Sequence, residues 1–397
     1  MKFNSVVIIE GVRTAIGSFG GSLSSLSPAE MGIATAKEVI KRSGVDAKKI
    51  DHAVYGHIIT TAPQDAYLAR HIAINSGLDE SSAAFNVNRL CGSGLQAIIS
   101  AAQMIETGDS QLALVGGAES MSRGAYLLPK VRTGLRMGDG NVQDLTLGIL
   151  SDPFGTGHMG ITAENIATKY GYTRQQLDNF ALASHQKAAA AIEADHFTEQ
   201  IIPIPVKKGR EELLFATDEH VRSQVKPEDL AKLKPAFKKD GLVTAGNASG
   251  INDGAASLLL ASAETASAQG LKVRARLVAN AFCGVDPNFM GMGPVSAVKK
   301  ALEQAGITVN DLDVIESNEA FASQAMAVAQ ELGFPDDKLN PNGGAVGMGH
   351  PVGATGSILT VKTLYELERI NGRYGLITLC IGGGQGIALI IERASQS

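Results

Sequence analysis

The sequence predicts an α/β fold with two similar halves and a lobe inserted between them. Short β-branched runs alternate with longer segments of helical periodicity, a pattern typical of a sheet with helices packed on its faces. The element order of residues 91–117 returns in residues 350–383: a reactive residue, a helix that begins with small residues, a buried strand and a glycine pair. Between Ser120 and Thr244 prolines, glycines and charges become denser, which favours an inserted lobe that carries binding contacts.

The spacing of apolar residues gives the position of each element. In the first half it predicts strands at Val6–Glu10, Ala53–Ile58, Ala84–Asn88 and Leu112–Gly116, and helices at Pro28–Ser43, Ala66–Ser76 and Ser93–Thr107. In the second half it predicts strands at Lys272–Ala281, Asp313–Ser317 and Gly375–Cys380, and helices at Val295–Gln304, Ala320–Leu332 and Gly353–Arg369. In the lobe it predicts helices at Thr162–Tyr170 and Arg174–Ala194, the second capped by Thr173 with Gln176 three residues on.

Length, composition and charge exclude several classes of protein. The 397 residues, 44% of them hydrophobic, are enough for two or three folding units, but no apolar run reaches the roughly 18 residues of a membrane span. A net charge of −5 with scattered Lys and Arg argues against a nucleic-acid partner. Cys91, Cys283 and Cys380 lie far apart without CxxC spacing, so neither a disulfide framework nor a metal site is expected. The chain ends, residues 1–2 and 391–397, show no targeting signal, which predicts a cytoplasmic protein.

Cys91 is the strongest candidate for chemistry. It lies in Asn88-Arg-Leu-Cys-Gly-Ser-Gly94, where a predicted strand ends and a helix begins. Free N–H groups at a helix N-terminus lower the pKa of a thiol and favour the thiolate, and the glycines allow another molecule to approach closely. On spacing alone, a nucleophile and a small buried cysteine beside a tight turn are equally good interpretations.

His350 is a candidate base for Cys91. It lies in Gly349-His-Pro-Val-Gly353, before a proline that suits the first position of a helix, and we expect it at an exposed helix start. From there it could take the proton of Cys91 and make it a thiolate. Taken alone, a histidine in a glycine-rich loop is more often structural or a surface residue.

Two further candidates lie where predicted strands end. Cys380 precedes Gly382-Gly-Gly384, whose N–H groups could receive an oxyanion, with a core cysteine as the alternative. Asn318 could fix a water or an oxyanion, with a plain helix cap as the alternative. Cys283 is not followed by a glycine-rich turn of this kind, and we expect it to be a packing residue.

Two other sequence patterns lack the structural context that their known functions require. Gly155-Thr-Gly-His-Met-Gly160 satisfies the dinucleotide fingerprint G-x-G-x-x-G, but it follows Ser151-Asp-Pro-Phe154 and not a buried strand. Ser93 and Ser249 lie near glycines, but neither occupies a G-x-S-x-G elbow, which argues against a serine hydrolase.

Seven motifs together make the whole chain resemble the thiolase family. They occur in the family's order: Cys-Gly-Ser-Gly at 91–94, Gly-Gly-Ala-Glu-Ser-Met-Ser at 116–122, His-Met-Gly-Ile-Thr-Ala-Glu-Asn at 158–165, Gly-Asn-Ala-Ser-Gly at 246–250, Asn-Glu-Ala-Phe at 318–321, Gly-His-Pro at 349–351 and Cys-Ile-Gly-Gly-Gly at 380–384. The match looks best to bacterial acetyl-CoA acetyltransferases and β-ketothiolases of the biosynthetic type. It implies two halves in a five-layered αβαβα arrangement, formed by residues 1–120 with 245–270 and by residues 271–397, a loop domain at 121–244, and a homotetramer that is a dimer of dimers.

The resemblance also implies a role for each matching residue. Cys91 would be the acylated nucleophile, His350 its base, and Cys380 the acid and base that removes a proton from the methyl group of the second acetyl-CoA. Asn318, through a water, and His350 would stabilise the enolate, and the N–H groups of Cys91 and Gly382 would hold the tetrahedral oxyanion. Decarboxylating ketosynthases share this fold but carry a histidine pair where this chain has Asn318 and Cys380. Non-decarboxylative Claisen condensation, or its reverse, is therefore favoured.

Coenzyme A would contact positions that lie mainly in the lobe: Leu150, His158, Met159, Arg222, Ala236, Phe237 and Ser249. Arg222 suits the adenosine end of the molecule, and Ser249 suits its pantetheine arm. Met290 and Phe321, together with Met159, would line the end of the pocket that holds the acyl group. For Met290 and Phe321, plain core packing is the alternative. The resemblance implies no cofactor, because the coenzyme A thioester is itself the substrate.

The predicted activity is the reversible condensation of two acetyl-CoA into acetoacetyl-CoA and coenzyme A, by a ping-pong mechanism through acetyl-Cys91. One alternative is a thiolase for longer 3-ketoacyl-CoA substrates, in β-oxidation or in polyhydroxyalkanoate precursor supply, because residues 62–65, 88–91 and 372–375 also resemble broad-specificity relatives. A second alternative, from another class, is a thiolase-like carrier that binds acyl-CoA or lipid without turnover. The presence of Cys91, His350 and Cys380 argues against that carrier.

Overall fold

A long mixed sheet runs through the protein, which a computed structural model describes at residues 2–3, 5–209 and 211–394. Its strands, together with those of two small hairpins, are β1 (Val6–Thr14), β2 (Gly17–Ser18), β3 (His52–Gly56), β4 (Ala83–Val87), β5 (Leu112–Ser120), β6 (Tyr126–Leu127), β7 (Gln143–Asp144), β8 (Ile201–Ile202), β9 (Ile204–Lys208), β10 (Glu211–Phe215), β11 (Asn252–Ser262), β12 (Ala275–Gly284), β13 (Val314–Ser317), β14 (Tyr374–Ile381) and β15 (Gln385–Arg393). Residues 1 and 395–397, on which part of the targeting prediction and the outer limits of the predicted halves fall, lie outside the described residues.

The helices alternate with these strands along the chain. They are α1 (Pro28–Ser43), α2 (Leu68–Asn75), α3 (Ser93–Thr107), α4 (Leu145–Ile149), α5 (Met159–Tyr170), α6 (Arg174–Glu193), α7 (Pro227–Ala231), α8 (Ala263–Ala268), α9 (Gly293–Ala305), α10 (Ala322–Leu332), α11 (Ala345–Met348) and α12 (Thr355–Arg369). In the described part of the chain, none of them combines the length and the apolar character that a membrane crossing requires.

The order of strands in the sheet is β13-β14-β15-β12-β1-β11-β5-β3-β4. The outer pairs β13–β14, β5–β3 and β3–β4 are parallel, whereas the strands between them pair antiparallel. β1 and β12 join the two halves of the sheet through a short register, Val7 with Arg276 and Ile8 with Ala275. This narrow seam lets the two halves of the sheet turn towards each other and enclose helices between them.

Three buried apolar clusters show the layers. The central cluster joins α3 and α12 to residues of both halves of the sheet. A second cluster packs α1 and α2 on the other face of the first half, and a third packs α9 and α10 on the other face of the second half. The resulting order is helix, sheet, helix, sheet, helix, which confirms the predicted five-layered α/β fold.

Several predicted elements are confirmed, and others differ at their ends. The predicted bounds of α1 and α3 are those observed, and Thr173 and Gln176 form the predicted capping box of α6. The helix predicted from Ala66 begins at Leu68, after a single 3-10 turn over Pro63–Tyr67. The prediction of a helix from Gly353 was wrong by two residues, because the carbonyl of Pro351 first closes a turn with the N–H groups of residues 354 and 355.

A buried ion pair ties the central helix α12 to the strand β13. Lys362 Nζ lies 2.9 Å from Glu316 Oε2 and donates to the carbonyl of Gly343 at 2.8 Å. Both side chains are almost fully buried, so the charges stabilise each other where water cannot. Burial raises the pKa of Glu316, and the lysine beside it acts in the opposite direction. The pair fixes the position of β13, whose end leads into Asn318.

Candidate active site

One cavity of about 570 Å³ brings together residues from distant parts of the chain. Cys91 reaches it from the loop after β4, His350 from the loop before α12, and Cys380 from the end of β14. Every other predicted site residue except Asn318 lines the same cavity: Leu150, His158, Met159, Arg222, Ala236, Phe237, Ser249, Met290, Phe321 and Gly382. A larger cleft of about 910 Å³, lined by Arg42 and Arg274 among other charged residues, contains none of them.

The loop that carries Cys91 packs tightly against α12. Ser93 holds the turn closed, because its Oγ accepts from the N–H of Arg89 at 2.8 Å and donates to the carbonyl of Leu90 at 2.6 Å. Ser357 of α12 donates to the carbonyl of Gly94 at 2.9 Å. A Cβ on Gly94 would lie 2.9 Å from the backbone nitrogen of Ser357, so only glycine allows the two helices to meet this closely.

Cys91 is a thiol in the resting protein. Its side chain is half-buried, and this burial raises its pKa to about 11, although the backbone N–H groups of Gly382 and of Cys91 itself act in the opposite direction. The expectation of a lowered pKa was therefore wrong. A helix N-terminus is present, since α3 begins at Ser93, but the loss of hydration outweighs its effect.

His350 is neutral and points one ring nitrogen at the site. Thr355 Oγ1 donates to the carbonyl of Pro351 at 2.9 Å, so it accepts from the ring Nδ1–H of His350 at 2.6 Å. This tautomer leaves a lone pair on Nε2, which Asn318 Nδ2 faces at 3.4 Å. Burial lowers the pKa of His350 to about 4. A neutral imidazole whose Nε2 carries a lone pair is the state that a general base requires.

The surroundings of His350 differ from the prediction in two ways. The residue is buried and not at an exposed helix start, and Pro351 lies in a turn and not at the first position of α12. Its backbone N–H donates to Asn252 Oδ1 at 2.9 Å, and Asn252 in turn donates from Nδ2 to the carbonyl of Gly17 at 3.0 Å. Asn252 and Thr355 therefore position His350, although no motif drew attention to either of them.

Cys380 and Asn318 complete the inner part of the site. Cys380 is buried, and burial together with the neighbouring Cys91 raises the pKa of its thiol. Asn318 lies behind His350, with its backbone N–H bonded to the carbonyl of Thr378 at 2.9 Å. The helix-cap interpretation of Asn318 was wrong, because α10 begins only at Ala322 with Phe321 as its N-cap. Among the described residues, the Oδ1 atom of Asn318 has no hydrogen-bond partner.

The outer part of the cavity combines stacked rings with a cationic side chain. His158 stacks on Phe237, with ring centroids 4.6 Å apart, and burial lowers the pKa of His158. Arg222 is exposed at the cavity mouth, and its backbone N–H donates to Nδ1 of His185 at 3.2 Å. His220, which belongs to none of the sequence motifs, also lines the cavity, and its ring stacks on that of His185 with centroids 6.2 Å apart.

No metal centre competes with this interpretation in the part of the chain that the structure describes. There, no group of three or more His, Cys, Asp or Glu side chains is arranged to hold an ion. Cys91, Cys283 and Cys380 are all free thiols. Two of these thiols, Cys91 and Cys380, therefore share the cavity with the imidazole of His350 and with Gly382.

Known proteins resemble this chain over nearly its full length. The model of the thiolase N-terminal domain matches residues 6–264, and that of the thiolase C-terminal domain matches residues 271–393. The chain belongs to the thiolase family. Among curated thiolases, it is 54% identical over 390 residues to the beta-ketothiolase BktB of Cupriavidus necator, and 50% identical over 391 residues to an acetyl-CoA acetyltransferase of Pseudomonas aeruginosa. Each match covers 98% of this chain and 99% of the other protein.

Solved thiolase structures superpose closely on this one. The acetyl-CoA acetyltransferase of Bacillus anthracis has a TM-score of 0.96 and 44% identity, and the match covers 99% of this chain and 100% of that one. The human mitochondrial 3-ketoacyl-CoA thiolase in complex with CoA has a TM-score of 0.95 and 39% identity, with 98% of both chains covered. These values confirm the thiolase fold.

The Thr355 hydroxyl gives a direct test of how His350 is held. Thr355→Val keeps the shape of the side chain but removes the oxygen that fixes the tautomer, at a cost of about one hydrogen bond. We expect the rate of Cys91 alkylation by iodoacetamide at pH 7 to fall about tenfold, since about 1.4 kcal/mol corresponds to a factor of ten. Mass spectrometry of the Cys91 peptide follows the rate.

The control for this test lies on the same helix. Thr360 donates to the carbonyl of Gly356 at 2.8 Å but does not contact His350, so Thr360→Val should leave the alkylation rate unchanged. Thr355→Ser, which keeps the hydroxyl, should restore most of it. Equal rates in the two valine variants would show that Thr355 does not orient the base.

Proposed function

We propose that this thiolase is an acetyl-CoA C-acetyltransferase, which condenses two acetyl-CoA into acetoacetyl-CoA and coenzyme A, reversibly and through an acetylated Cys91. The observation that carries the proposal is the convergence of Cys91, His350 and Cys380 on one cavity. Relatives that are named acetyl-CoA acetyltransferase, 50% and 44% identical to this chain, support the same activity.

In the first half-reaction, the sulfur of Cys91 attacks the carbonyl carbon of acetyl-CoA while Nε2 of His350 takes the thiol proton. The N–H groups of Cys91 and Gly382 stabilise the negative oxygen of the tetrahedral intermediate, because both lie beside the attacking sulfur. The intermediate then expels the sulfur of coenzyme A, which receives the proton from His350. The products are acetyl-Cys91 and free coenzyme A.

In the second half-reaction, Nε2 of His350 takes the thiol proton of Cys380, and the resulting thiolate removes a proton from the methyl group of the second acetyl-CoA. Because burial raises the pKa of Cys380, its thiolate is a stronger base than an exposed one. His350 and a water held by Asn318 stabilise the enolate oxygen, a role that fits the unpaired Oδ1 of Asn318. The enolate carbon attacks acetyl-Cys91, the sulfur of Cys91 leaves and takes the proton from His350, and acetoacetyl-CoA is released.

The rest of the cavity suits coenzyme A. The exposed guanidinium of Arg222 suits the nucleotide, and the partly buried Ser249, which lines the same cavity, suits the pantetheine arm. Met159, Met290 and Phe321 are buried around Cys380, where the acyl group would lie. The reaction needs no cofactor, because thioester exchange and Claisen condensation involve no net oxidation or reduction.

Two variants separate the half-reactions. Cys380→Ser should keep acetylation of Cys91, visible as the mass of one acetyl group on its peptide after mixing with acetyl-CoA. The same variant should lower the condensation rate by about 10²–10⁴-fold, the usual contribution of a general base. Cys91→Ser should abolish acetylation.

The third cysteine supplies the matched control. Cys283 lies on β12, outside the cavity, so Cys283→Ser should leave both half-reactions intact. Equal loss of both steps in Cys380→Ser would contradict the division of roles. Absence of an acetyl group on Cys91 in the unmodified protein would favour the non-catalytic carrier instead.

A second cavity supports a broader substrate range as the alternative function. It measures about 290 Å³ and shares Met159 and Gly382 with the active-site cavity. Its other apolar walls are Leu90, Ile149, Pro153 and Phe154. A 3-ketoacyl chain of six carbons bound at Cys91 could extend past Gly382 into this space, an interpretation that the 54% identity to a beta-ketothiolase also favours.

Filling this second cavity tests the alternative. Gln385 lines it from an exposed position at the start of β15, so Gln385→Phe would occupy it without touching the reactive groups. A six-carbon substrate has two more methylenes than acetoacetyl-CoA, and burial of each contributes about 0.8 kcal/mol. We expect kcat/KM for thiolysis of 3-ketohexanoyl-CoA to fall about tenfold and that for acetoacetyl-CoA to stay unchanged.

Gln269→Phe, an exposed position remote from both cavities, is the matched control and should change neither value. An equal decrease for both substrates in Gln385→Phe would mean that the second cavity holds no acyl chain.

A homotetramer built as a dimer of dimers is the proposed assembly. Two separate surfaces support it. The first surface is the edge strand β4, which forms one end of the strand order and exposes Phe85. The second is the segment around the β6–β7 hairpin, which exposes seven large apolar side chains: Tyr126, Leu127, Leu128, Val131, Leu135, Met137 and Val142. Met137 alone is 97% exposed. An open sheet edge and a separate apolar surface on one chain fit two kinds of two-fold contact.

Sedimentation velocity tests the assembly. Met137→Glu should convert tetramers into dimers, since it would bury a charge in the proposed contact. Leu214→Glu, on the exposed face of the β9–β10 hairpin, should leave the sedimentation coefficient unchanged. A tetramer that survives Met137→Glu would exclude this surface.

Two further proposals concern the organisation and location of the protein. We assign residues 121–244 to a lobe inserted into the first half, because the long strands of the sheet come from residues before and after it. We place the protein in the cytoplasm, where a reducing environment keeps the thiols of Cys91 and Cys380 free for catalysis.

A further inference from the structure

Three buried charged side chains form a row behind the wall of the active-site cavity. His57, just after β3, lies in the middle, with its Nδ1 3.2 Å from Glu119 Oε1 and its Nε2 3.7 Å from Asp65 Oδ2. All three side chains are buried, and none of them lines the cavity. They take no part in the proposed reaction steps.

His57 is the positive member of the row. The neighbours of both ring nitrogens are acceptors: Nδ1 also lies 3.0 Å from the carbonyl of Ala118. Burial disfavours the charge, but the carboxylates of Asp65 and Glu119 outweigh it and raise the pKa of His57 to about 10. Asp65 has a pKa of about 2, since its burial is outweighed by His57 and by the donors of Thr61 and Ala62. His57 is therefore an imidazolium between two carboxylates.

Glu119 connects the row to the catalytic loops. Its carboxylate accepts from the N–H groups of Ile58 and Ile59 at 3.1 Å each, and from the N–H of Gly353 at 3.0 Å. Gly353 follows His350 by three residues and leads into the first turn of α12. A Cβ at Gly353 would collide with the same carboxylate, so the loop after His350 lies directly on Glu119.

The charge of Glu119 also reaches Cys91. Cys91 packs against the small apolar cluster that contains Ile59 and Val352, and Glu119 holds the N–H of Ile59 and of the residue after Val352. The negative charge of Glu119 raises the pKa of the Cys91 thiol. Without a compensating positive charge, this carboxylate would oppose thiolate formation still more strongly.

The other titratable groups near Cys91 do not supply that compensation. His350 is neutral, and Cys380 is a thiol whose charged form would repel a Cys91 thiolate. Arg89, two residues before Cys91, is directed to the ring of Phe282, with its guanidinium carbon 4.5 Å from the ring centroid. The imidazolium of His57 is the cation that faces Glu119.

We propose that His57 is a positioning residue for acyl transfer, which holds the Glu119 carboxylate on the Gly353 N–H and cancels its charge beside Cys91. The inference rests on the proposed role of Cys91 as the acylated nucleophile. His57 acts through Glu119 and touches no substrate. The row therefore sets two properties of the site, the position of the His350 loop and the ease with which Cys91 loses its proton.

The test measures the alkylation rate of Cys91 by iodoacetamide between pH 6 and pH 10. His57→Gln removes the positive charge, so the uncompensated Glu119 should raise the pKa of Cys91 by about one unit. At each pH where the alkylation rate of Cys91 still rises with pH, the rate should therefore fall about tenfold. Glu119→Gln removes the negative charge and should speed alkylation. The double variant should return close to the unmodified protein. His71→Gln, an exposed histidine on α2, is the matched control and should leave the profile unchanged.

Two outcomes would overturn the proposal. A folded His57→Gln protein with an unshifted alkylation profile would leave His57 a purely structural role. If that variant does not fold, a Glu119→Gln protein without faster alkylation would be equally decisive. Since alkylation needs no acetyl transfer, a shifted profile in a protein that never acetylates Cys91 would refute the proposed function and keep the electrostatic role of His57.

Discussion

The site depends on the close approach of two backbones, the turn that follows Cys91 and the loop that follows His350. Glycines make this approach possible. A Cβ on Gly56 would lie 2.6 Å from the carbonyl of Gly353, and one on Gly94 would lie 2.9 Å from the backbone nitrogen of Ser357. Contacts this short are closed to any residue with a side chain. The two central helices can therefore begin side by side, and each brings its reactive residue to the same cavity.

Burial determines the charge state of the groups that meet there. It raises the pKa of Cys91 to about 11 and lowers that of His350 to about 4, so the pair is uncharged in the resting protein. The row of Asp65, His57 and Glu119 lies close behind with its charges held in ion pairs and hydrogen bonds. A neutral pair surrounded by fixed polar groups can develop charge during the reaction without the reorganisation that water would require.

Local patterns were enough to predict α1 and α3 because their limits depend on local chemistry. Ser27 and Glu30 form a capping box at the start of α1, and a left-handed Gly44 ends it. β11 was missed because the strand is buried on both faces, and its run of small and apolar residues has no alternation that distinguishes it from a helix. β15 was missed for the same reason, because residues 386–392 are buried without interruption and their apolar run shows no alternation.

The motifs of the sequence selected the residues that line the cavity, but not those that hold them in place. Thr355, Asn252 and His57 act through contacts between distant segments, and such contacts leave no signal at short spacing. The pKa of Cys91 was misjudged for the same reason. A helix start is visible in the sequence, whereas the loss of hydration depends on what the fold places around the sulfur.

The two sulfurs also impose an order on the proposed reaction. Charge on Cys91 raises the pKa of Cys380, so the two thiols cannot both ionise easily in the free protein. Acetylation removes this conflict, because a thioester at Cys91 carries no charge. Cys380 then becomes the only thiol in the cavity that can ionise, at the moment when the second substrate needs a base. The electrostatic coupling therefore favours acyl transfer before proton abstraction, and the ping-pong sequence follows from the proximity of the two thiols.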